Sequence, residues 1–375
     1  MLTATKVVLL VLAGLFVLAT ALPLIREPHW WIRMFDFPRA QILAGATGTF
    51  ALLLLVNVGA PQASRLEWAA LVLLGVCVAY QIVRMWPYSE YASPEVVRVD
   101  GVEEGRHLRL VMSNVLMENR DADGWLTTVR DARPDVVAAV ETDAWWVDAM
   151  EALADELPHV AAVPQDDTYG MAVRSRLPIV EQEVRHLVEP SVPSLWLTLE
   201  LDSGEHARLV ILHPRPPRPD IQQGSQLRDA ELVLAGRAAA EVDDPVVVAG
   251  DLNDVAWSYT TSLFQEISGL LDPRVGRGMF ATFHADHWWL RYPLDHVFHS
   301  RDFGLVELER LAHVGSDHFP IMIELALDPS VRPLQEEPDS ATVGEDDADE
   351  ALDEAEEFLD EETEAERRER LRADQ

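Results

Sequence analysis

Cysteine and lysine are almost absent from this chain of 375 residues. The single cysteine, Cys77, lies inside an apolar run, so an intrachain disulfide is excluded. The single lysine is Lys6, and the chain has no P-loop. Phosphoryl chemistry that depends on a cysteine nucleophile or on a P-loop is therefore excluded.

Positive charge is also scarce, with 30 Lys and Arg against 64 Asp and Glu and a net charge of −34. Residues 331–375 contain 19 acids and 5 arginines, so they account for −14 and leave −20 for the rest of the chain. An acidic body repels phosphate backbones. This charge balance argues against a general nucleic-acid-binding protein.

Three apolar runs open the chain, at residues 7–25, 40–60 and 68–83. The first two have the length of a transmembrane helix, about 20 residues, and the third is slightly short. A cleaved signal peptide is the alternative for the first run, and a buried helical hairpin is the alternative for the other two. Aromatic residues of the kind found at membrane interfaces flank the runs: Trp30, Trp31, Trp68, Trp86 and Tyr88. We therefore expect an integral protein of the cell (inner) membrane.

Three spans would place the loop at residues 29–39 on the same side of the membrane as everything after residue 83. Four arginines lie on that side, against one lysine and one arginine on the other: Arg26, Arg33, Arg39 and Arg84 against Lys6 and Arg65. The positive-inside rule thus leans towards a cytoplasmic C-terminal domain, but the side remains open.

The remainder divides into a linker at 89–106, an α/β domain at 107–328 and an acidic tail at 329–375, after the membrane anchor at 1–88. Short β-type runs alternate with helical segments in the α/β domain, at 108–112, 136–140, 171–173, 195–199, 209–212, 246–249 and 321–325. Their spacing suits two packed sheets. The tail composition favours disorder, although Leu352, Ala355, Phe358 and Leu359 form one weak helical stripe.

Polar residues stand at the ends of the predicted strands, where an α/β active site is expected. Each element alone has an ordinary structural explanation, such as an Asx turn or a hydrogen-bonded histidine. There are six of them: Asn114, Glu141, His213, Gly-Asp-Leu-Asn at 250–253, Asp295 within the run 292–298, and Gly-Ser-Asp-His at 315–318.

In this order, the six elements resemble the endonuclease/exonuclease/phosphatase superfamily. The resemblance covers about residues 107–328, and Gly-Asp-x-Asn and Ser-Asp-His are its most specific parts. Residues 169–179 also look like the middle strand of that family. The resemblance implies a four-layer α/β sandwich, in which two packed sheets are flanked by helices, and a metal-dependent phosphoesterase activity.

The resemblance also implies a metal side of the site. Glu141 would be the principal ligand of Mg²⁺ or Mn²⁺, with Asn114 and Asp317 beside it, since carboxylate oxygen suits hard divalent cations. Many nucleases of the family have an acid two residues after the first Asn, where this chain has Leu116. Whether Asn119 or Asp121 replaces that acid stays open. The leucine at this position weakens the hypothesis that the chain is a nuclease.

The catalytic side would consist of His213, Asp251, Asn253, Asp295 and His318. By resemblance, His213 contacts the phosphate, Asp251 orients or activates the attacking water, and Asn253 holds a phosphate oxygen. His318 would pair with Asp295, which fixes its ring and stabilises its charged form. Such a mixture suits in-line attack at phosphorus, because negative charge builds up on the equatorial oxygens.

Substrate contacts are predicted at Arg215, Trp257 and Ser258. Each has a rival explanation: Arg215 lies in a Pro-rich turn, and Ser258 is suited to cap the following helix. Trp288 and Trp289 precede the Asp295 strand and are expected to line a substrate mouth, to enter lipid, or to pack in the core.

Three functions follow from these observations. The leading hypothesis is a phosphatase or phosphodiesterase that acts on a lipid or lipid-linked phosphate, with the bilayer as its partner. The second is a membrane-associated nuclease, which the acidic body disfavours. The third is an inactive interaction module, which the near-complete set of motifs disfavours.

Overall fold

The computed structural model describes residues 4–58, 63–100, 103, 105–217, 224–338 and 345–373, with side chains up to residue 361. The end of the second predicted span and residues 101, 102 and 104 of the predicted linker lie outside this description. The chain forms two compact units. The first contains the residues up to Ser93, and the second contains most of the residues from Pro94 onward.

The first unit is helical. Its helices are α1 (Ala4–Ala21), α2 (Trp30–Arg33), α3 (Arg39–Val58) and α4 (Arg65–Met85). Three stretches are long and apolar enough to cross a membrane, namely Ala4–Leu24, Arg39–Val58 and Arg65–Tyr88. The third is longer than its sequence predicts, because Glu67 and Gln81 are polar but buried within the packed helices.

Small and branched apolar residues hold the three long helices together. Ala13, Ala46 and Leu74 form one buried cluster between them. Polar contacts reinforce the packing: Arg39 donates to Gln81 over 3.2 Å, and Gln81 donates to Thr20 over 3.2 Å. Large apolar side chains point outward, as in helices that face lipid, with Leu55 and Val76 among the exposed ones.

The second unit is an α/β sandwich, as the sequence predicts. Its eleven strands among the described residues are β1 (His107–Asn114), β2 (Val136–Val140), β3 (His159–Val163), β4 (Met171–Ser175), β5 (Ile179–Arg185), β6 (Ser194–Glu200), β7 (His206–Leu212), β8 (Val246–Asp251), β9 (Asp295–His299), β10 (Phe303–Arg310) and β11 (Ile321–Leu327). One sheet has the order β10-β11-β1-β2-β4-β3, and the other has the order β5-β6-β7-β8-β9.

An apolar layer joins the two sheets, and helices cover their outer faces. The helices of this unit are α5 (Ala122–Ala132), α6 (Ala144–Met150), α7 (Gln226–Ala240), α8 (Tyr259–Ser268) and α9 (Glu345–Ala373). Trp125 of α5 and Trp146 of α6 pack on the first sheet. Leu232 of α7 and Phe264 of α8 pack on the second. The arrangement is the four-layer sandwich expected from the family resemblance.

Part of the predicted linker packs against the sandwich. Val96 and Val99 are buried, and the backbone N–H of Val99 donates to the carbonyl of Leu305 over 2.9 Å. The side chain of Gln335 accepts from the N–H of Val97 over 2.8 Å. These contacts add a short edge segment to the first sheet beside β10.

The acidic tail differs from the disorder that its composition favours, because residues 345–373 form the helix α9. The weak stripe provides the reason: Ala355 is buried against α7, with Leu352, Phe358 and Leu359 packed around it. Arg237 of α7 adds ion pairs to Glu345 and Asp349 at 2.8 and 2.7 Å. A helix with one apolar stripe can therefore dock despite its charge.

Three membrane spans make a testable prediction about sidedness. Cysteines introduced by Met34→Cys and Glu337→Cys, in a Cys77→Ser background, should react with a membrane-impermeant thiol reagent from the same side of sealed vesicles. Arg65→Cys, at the first residue of α4, is the matched control and should react from the other side. Opposite labelling of positions 34 and 337 would contradict three spans.

Candidate active site

Strand register brings the predicted site residues to one edge of the sandwich. In the first sheet β1 runs parallel to β2, with Asn114 opposite Val140, so that Glu141 follows beside Asn114. In the second sheet β7 runs parallel to β8, with Leu212 opposite Gly250. His213 and Asp251 therefore leave their strands side by side.

Two antiparallel pairings complete this edge. Asp295 at the start of β9 lies opposite Asp251 at the end of β8. In the first sheet, Ile321 at the start of β11 lies opposite Met112 of β1, so the loop with His318 reaches the end of β1. Six sequence elements separated by up to 204 residues thus converge.

Asn114 connects the two sheets. Its side-chain amide donates to Glu141 Oε1 over 2.8 Å and to Asp251 Oδ2 over 3.0 Å. Its side-chain oxygen accepts from the N–H of Leu116 over 2.9 Å, which fixes the orientation of the amide. Because Asn114 is fully buried, these bonds hold the carboxylates of Glu141 and Asp251 in place.

His318 and Asp295 form the predicted pair. His318 Nδ1 lies 2.7 Å from Asp295 Oδ2, and His318 Nε2 lies 3.5 Å from Asp251 Oδ2. Burial of the ring acts to lower its pKa, but the carboxylates of Asp295 and Asp251 outweigh that effect and raise the pKa of His318 to about 10. At neutral pH the ring is therefore a cation that faces Asp251.

His213 lies on the other side of Asp251. Its Nδ1 is 3.2 Å from the backbone carbonyl of Asp251, so this nitrogen carries the proton and donates. Its Nε2 is then directed towards Glu141, at 3.9 Å from Oε1. The ring of Tyr169 lies 5.9 Å from the His213 ring, and the guanidinium of Arg215 lies 5.7 Å from the Tyr169 ring.

Arg215 is thus close to the site, as predicted for a substrate contact, and it is also paired with Glu189 at 2.8 Å. Asn253 follows Asp251 in the loop after β8. Its backbone N–H donates to Asp251 Oδ1 over 2.9 Å, and its side-chain amide donates to the carbonyl of Pro214 over 3.0 Å. Both residues lie where a phosphate group at Asp251 and His213 would be within reach.

The backbone at the site adopts conformations that are rare outside functional regions. Glu141 and Asn253 have φ angles of 59° and 51°, in the left-handed region. At Gly250, a Cβ would come within 1.8 Å of the carbonyl oxygen of Leu212. Only glycine therefore permits β8 to deliver Asp251 beside β7 at this distance.

Two predicted substrate contacts have a different role. The hydroxyl of Ser258 accepts from the N–H of Thr261 over 2.9 Å as the N-cap of α8, and it donates to Asp254 over 2.6 Å. Its polar capacity is used within the fold, which corrects the prediction of a phosphate contact. Trp257 is buried with 3% exposure and contributes to the packing at this turn.

The replacement ligands considered after Leu116 are also corrected. Asn119 donates its amide to the carbonyls of Val115 and Val314 at 3.2 and 3.1 Å. Asp121 caps α5 by accepting from the N–H of Gly124. Both side chains therefore hold the turn that leads into α5, and Glu141 is the acid that lies beside Asn114.

Several supporting residues have no signal in the sequence. Ser316 donates to the carbonyl of Asn114 and accepts from the N–H of His318, which joins the two motifs. Arg228 donates to the carbonyl of Asn253 over 2.8 Å. Arg274 bonds to His296 Nδ1 over 2.7 Å behind Asp295. Only the position of Ser316, directly before Asp317 and His318, gave a hint.

The donor set suits a hard divalent cation. The carboxylates of Glu141, Asp251, Asp295 and Asp317 converge, and burial, together with the charges of Glu141 and Asp251, raises the pKa of Asp317. Asp295 Oδ1 is buried, and no hydrogen-bond partner for it is found among the described residues. Asp251, Asp295 and His318 form one cluster with ligand atoms within 4.8 Å of one another.

A cation could therefore be bound at either of two places: the cluster of Asp251, Asp295 and His318, or the carboxylate of Glu141. Because His318 is bonded through Nδ1 to Asp295 and is a cation at neutral pH, it is better suited to face an anion than to bind a metal. The carboxylate of Glu141, with Asn114 and Asp317 beside it, offers oxygen donors on the open side. This is the placement implied by the family resemblance.

Comparisons with known proteins agree with this fold. Among solved structures, a humanized D. rerio TDP2 with 14 mutations is 19% identical, covers 59% of this chain and 99% of that chain, and has a TM-score of 0.50. D. rerio TDP2 complexed with a single-strand DNA product is 19% identical, with coverages of 58% and 98% and a TM-score of 0.50.

An endonuclease/exonuclease/phosphatase from Beutenbergia cavernae DSM 12333 is 21% identical, with coverages of 60% and 72% and a TM-score of 0.48. The comparison with curated proteins gave no match. The profile of the Endonuclease/Exonuclease/phosphatase family matches residues 113–318, which is more than half of the chain and runs from the end of β1 to His318. The chain therefore belongs to the endonuclease/exonuclease/phosphatase family.

Proposed function

We propose that the chain is a phosphoesterase that depends on Mg²⁺ or Mn²⁺ and hydrolyses a phosphate ester of a lipid or lipid-linked substrate. The observation that carries the proposal is the convergence of Glu141, Asp251, Asp295 and the two histidines His213 and His318 at one edge of the sandwich. Members of this family are hydrolases of phosphodiester bonds and use divalent metals.

The side chains divide the reaction between them. Asp251, held by Asn114, accepts a hydrogen bond from the attacking water and aligns it with phosphorus. His318, as a cation 3.5 Å from Asp251, faces the negative charge that builds up on the phosphate oxygens. His213 Nε2 faces the place that a second phosphate oxygen would take, and Asn253, bonded to the carbonyl of Pro214, lies beside it.

A divalent cation would be held by the carboxylates of Glu141 and Asp317 and would neutralise charge on the phosphate oxygens. Asn114, predicted as a further ligand, instead orients Glu141 through its amide N–H, because its side-chain oxygen accepts from the N–H of Leu116. Asp295 does not touch the substrate in this arrangement. It keeps the His318 ring in one orientation and protonated, through the 2.7 Å contact.

Two features support a lipid substrate. The first is the set of three apolar helices that are long enough to cross a membrane, which would keep the enzyme beside a bilayer. The second is the charge of −20 outside residues 331–375, which opposes the many cationic contacts that a long polyanion requires.

A nuclease is the alternative, and the solved complex of D. rerio TDP2 with a single-strand DNA product shows the same fold with DNA. That likeness, at 19% identity, concerns the fold alone. The third hypothesis, an inactive interaction module, is disfavoured because the predicted catalytic side chains of His213, Asp295 and His318 lie around Asp251, and the backbone N–H of Asn253 bonds to the same carboxylate.

We expect His318→Ala and Asp251→Asn each to lower kcat at least about a hundredfold, as for groups that act in the transition state. His206→Ala is the matched control, because His206 is an exposed histidine at the start of β7, the end of that strand away from His213. Circular dichroism should show an intact fold in all three. Wild-type turnover by either site variant would remove that residue from the mechanism.

Chelation is expected to abolish hydrolysis, and added Mg²⁺ or Mn²⁺ should restore it, since the ligand set consists of hard oxygen donors. Glu141→Gln should raise the concentration of metal needed for half-maximal activity, because it removes the charge from the principal ligand. Full activity after exhaustive chelation would contradict a metal-dependent reaction.

The substrate is tested by comparing one preparation of the full chain on a lipid phosphate in mixed micelles and on plasmid and oligonucleotide DNA. We expect the lipid phosphate to be hydrolysed with the higher kcat/KM at physiological salt. More efficient cleavage of DNA would establish the nuclease alternative in its place. The Asp251→Asn variant controls for contaminating activities in both assays.

A further inference from the structure

A loop with two exposed tryptophans leads into the strand that carries Asp295. Trp288 is 82% exposed and Trp289 is 55% exposed, which excludes the core packing considered for them from the sequence. Large exposed apolar side chains next to each other commonly mark an interaction surface. Tryptophan in particular favours the boundary between headgroups and acyl chains of a bilayer.

Two arginines lie beside this loop on the ring of Phe319. The guanidinium groups of Arg291 and Arg310 are 4.7 and 4.5 Å from the ring centroid. Arg291 donates to the carbonyl of Ala285 and Arg310 to that of Ala281. Within the part of the chain that the structure describes, neither arginine makes an ion pair.

These two arginines differ in this respect from a comparable one elsewhere in the domain. Arg185 also stacks on an aromatic ring, that of Trp196 at 4.1 Å, but it pairs with Glu183 at 2.7 Å. Burial, followed by the charge of Arg291, lowers the pKa of Arg310, so the two cations are close enough to repel each other. An anion placed between them would relieve that repulsion.

The loop is directly attached to the catalytic site. Phe283 forms a β-bridge with Tyr292 at the other end of the loop and another with His318. Its ring centroid is 4.9 Å from that of His318. The N–H of Ala285 donates to the carbonyl of Asp317 over 2.6 Å. A molecule bound by the loop is therefore held next to the residues proposed to act on phosphate.

We propose that Trp288, Trp289, Arg291 and Arg310, here called the aromatic–basic patch, dock on the surface of an anionic lipid bilayer. The tryptophans enter the headgroup boundary, and the two guanidinium groups bind headgroup phosphates. The inference deepens the proposed function, because it rests on a bilayer as the place where the substrate is found.

Charge and chemistry favour an anionic bilayer as the partner of the aromatic–basic patch. A guanidinium binds a phosphate through two parallel hydrogen bonds, which suits a headgroup. Free phosphate would use the arginines but not the exposed tryptophans. A long nucleic acid would need more cationic contacts than an acidic domain provides. Because charges beyond about 8 Å are screened at physiological salt, the local field is set by Arg291 and Arg310 together with the nearby Asp286, which lies 3.7 Å from His313.

The test uses the full chain in lipid nanodiscs and measures contact rather than turnover. Trp288→Cys in a Cys77→Ser background carries an environment-sensitive fluorophore, and lipids with a quencher in the upper acyl chain report its depth. Val184→Cys on β5, which is 43% exposed, is the matched control position. We expect strong quenching at 288, little at 184, and more quenching in phosphatidylglycerol discs than in phosphatidylcholine discs.

Arg291→Gln and Arg310→Gln should remove the preference for anionic discs, with about a fivefold shift of the docking equilibrium for each arginine. Arg185→Gln is the control and should leave it unchanged. Equal, weak quenching at 288 and 184 in both discs would overturn the proposal. A second result would also overturn it. If inorganic phosphate changes the fluorescence of the label in phosphatidylcholine discs, and anionic discs give no quenching, the arginines bind a soluble anion instead of a headgroup.

The two proposals fail separately. A chain that docks through position 288 but hydrolyses no lipid phosphate would contradict the lipid substrate and leave the docking surface in place. A chain that hydrolyses a lipid phosphate in micelles without quenching at 288 would contradict only the docking surface.

Discussion

The apolar layer between the two sheets determines where every polar group of the site lies. Side chains alternate between the two faces of a strand, so residues two apart share a face. Leu110 and Met112 of β1 point into the layer, as do Leu209 and Ile211 of β7. The next residues on those faces are Asn114 and His213, at the point where the layer ends. The same alternation places Asp251 at the end of β8, after the buried Val247 and Ala249. It places Asp295 at the start of β9, before the buried Val297. A shift of register by one residue would turn each of these side chains towards the helices.

This placement has an electrostatic consequence. Carboxylates at the edge of a low-dielectric layer lose hydration, and their mutual repulsion adds to that cost. The amide of Asn114, the N–H of Asn253 and the ring of His318 offset part of it. The part of this electrostatic cost that is not offset makes the site attract a cation, which is the property that a metal-dependent hydrolase needs. Destabilisation of the empty site and affinity for the metal are thus two descriptions of the same charges.

Strand ends and their polar residues could be predicted from the sequence because a continuous apolar run indicates a buried strand. The strand Val136–Val140 has the bounds that the sequence predicts. The sequence does not predict the strands β3, β5 and β10. Strand β5 is largely exposed and polar, and β3 contains alanine and histidine.

Contacts between distant residues are not predicted by the sequence either. The bond from Arg228 to Asn253 and the pair of Arg274 with Asp272 depend on the packing of whole elements, which no local pattern records.

The distribution of arginine extends the electrostatic argument from the site to its surroundings. In a chain with more than twice as many acids as bases, many arginines neutralise a particular carboxylate, as Arg120 does with Asp143 and Arg176 does with Asp135. Such pairs stabilise the fold but present little net field to a ligand. Arg291 and Arg310 have backbone carbonyls as their hydrogen-bond acceptors, so their charge remains available beside the catalytic edge. An anion bound by these two arginines would lie in the loop that is bridged to His318 through Phe283. A field of this shape admits a compact phosphate headgroup and opposes an extended polyanion, because the favourable region is only as wide as the loop that carries it.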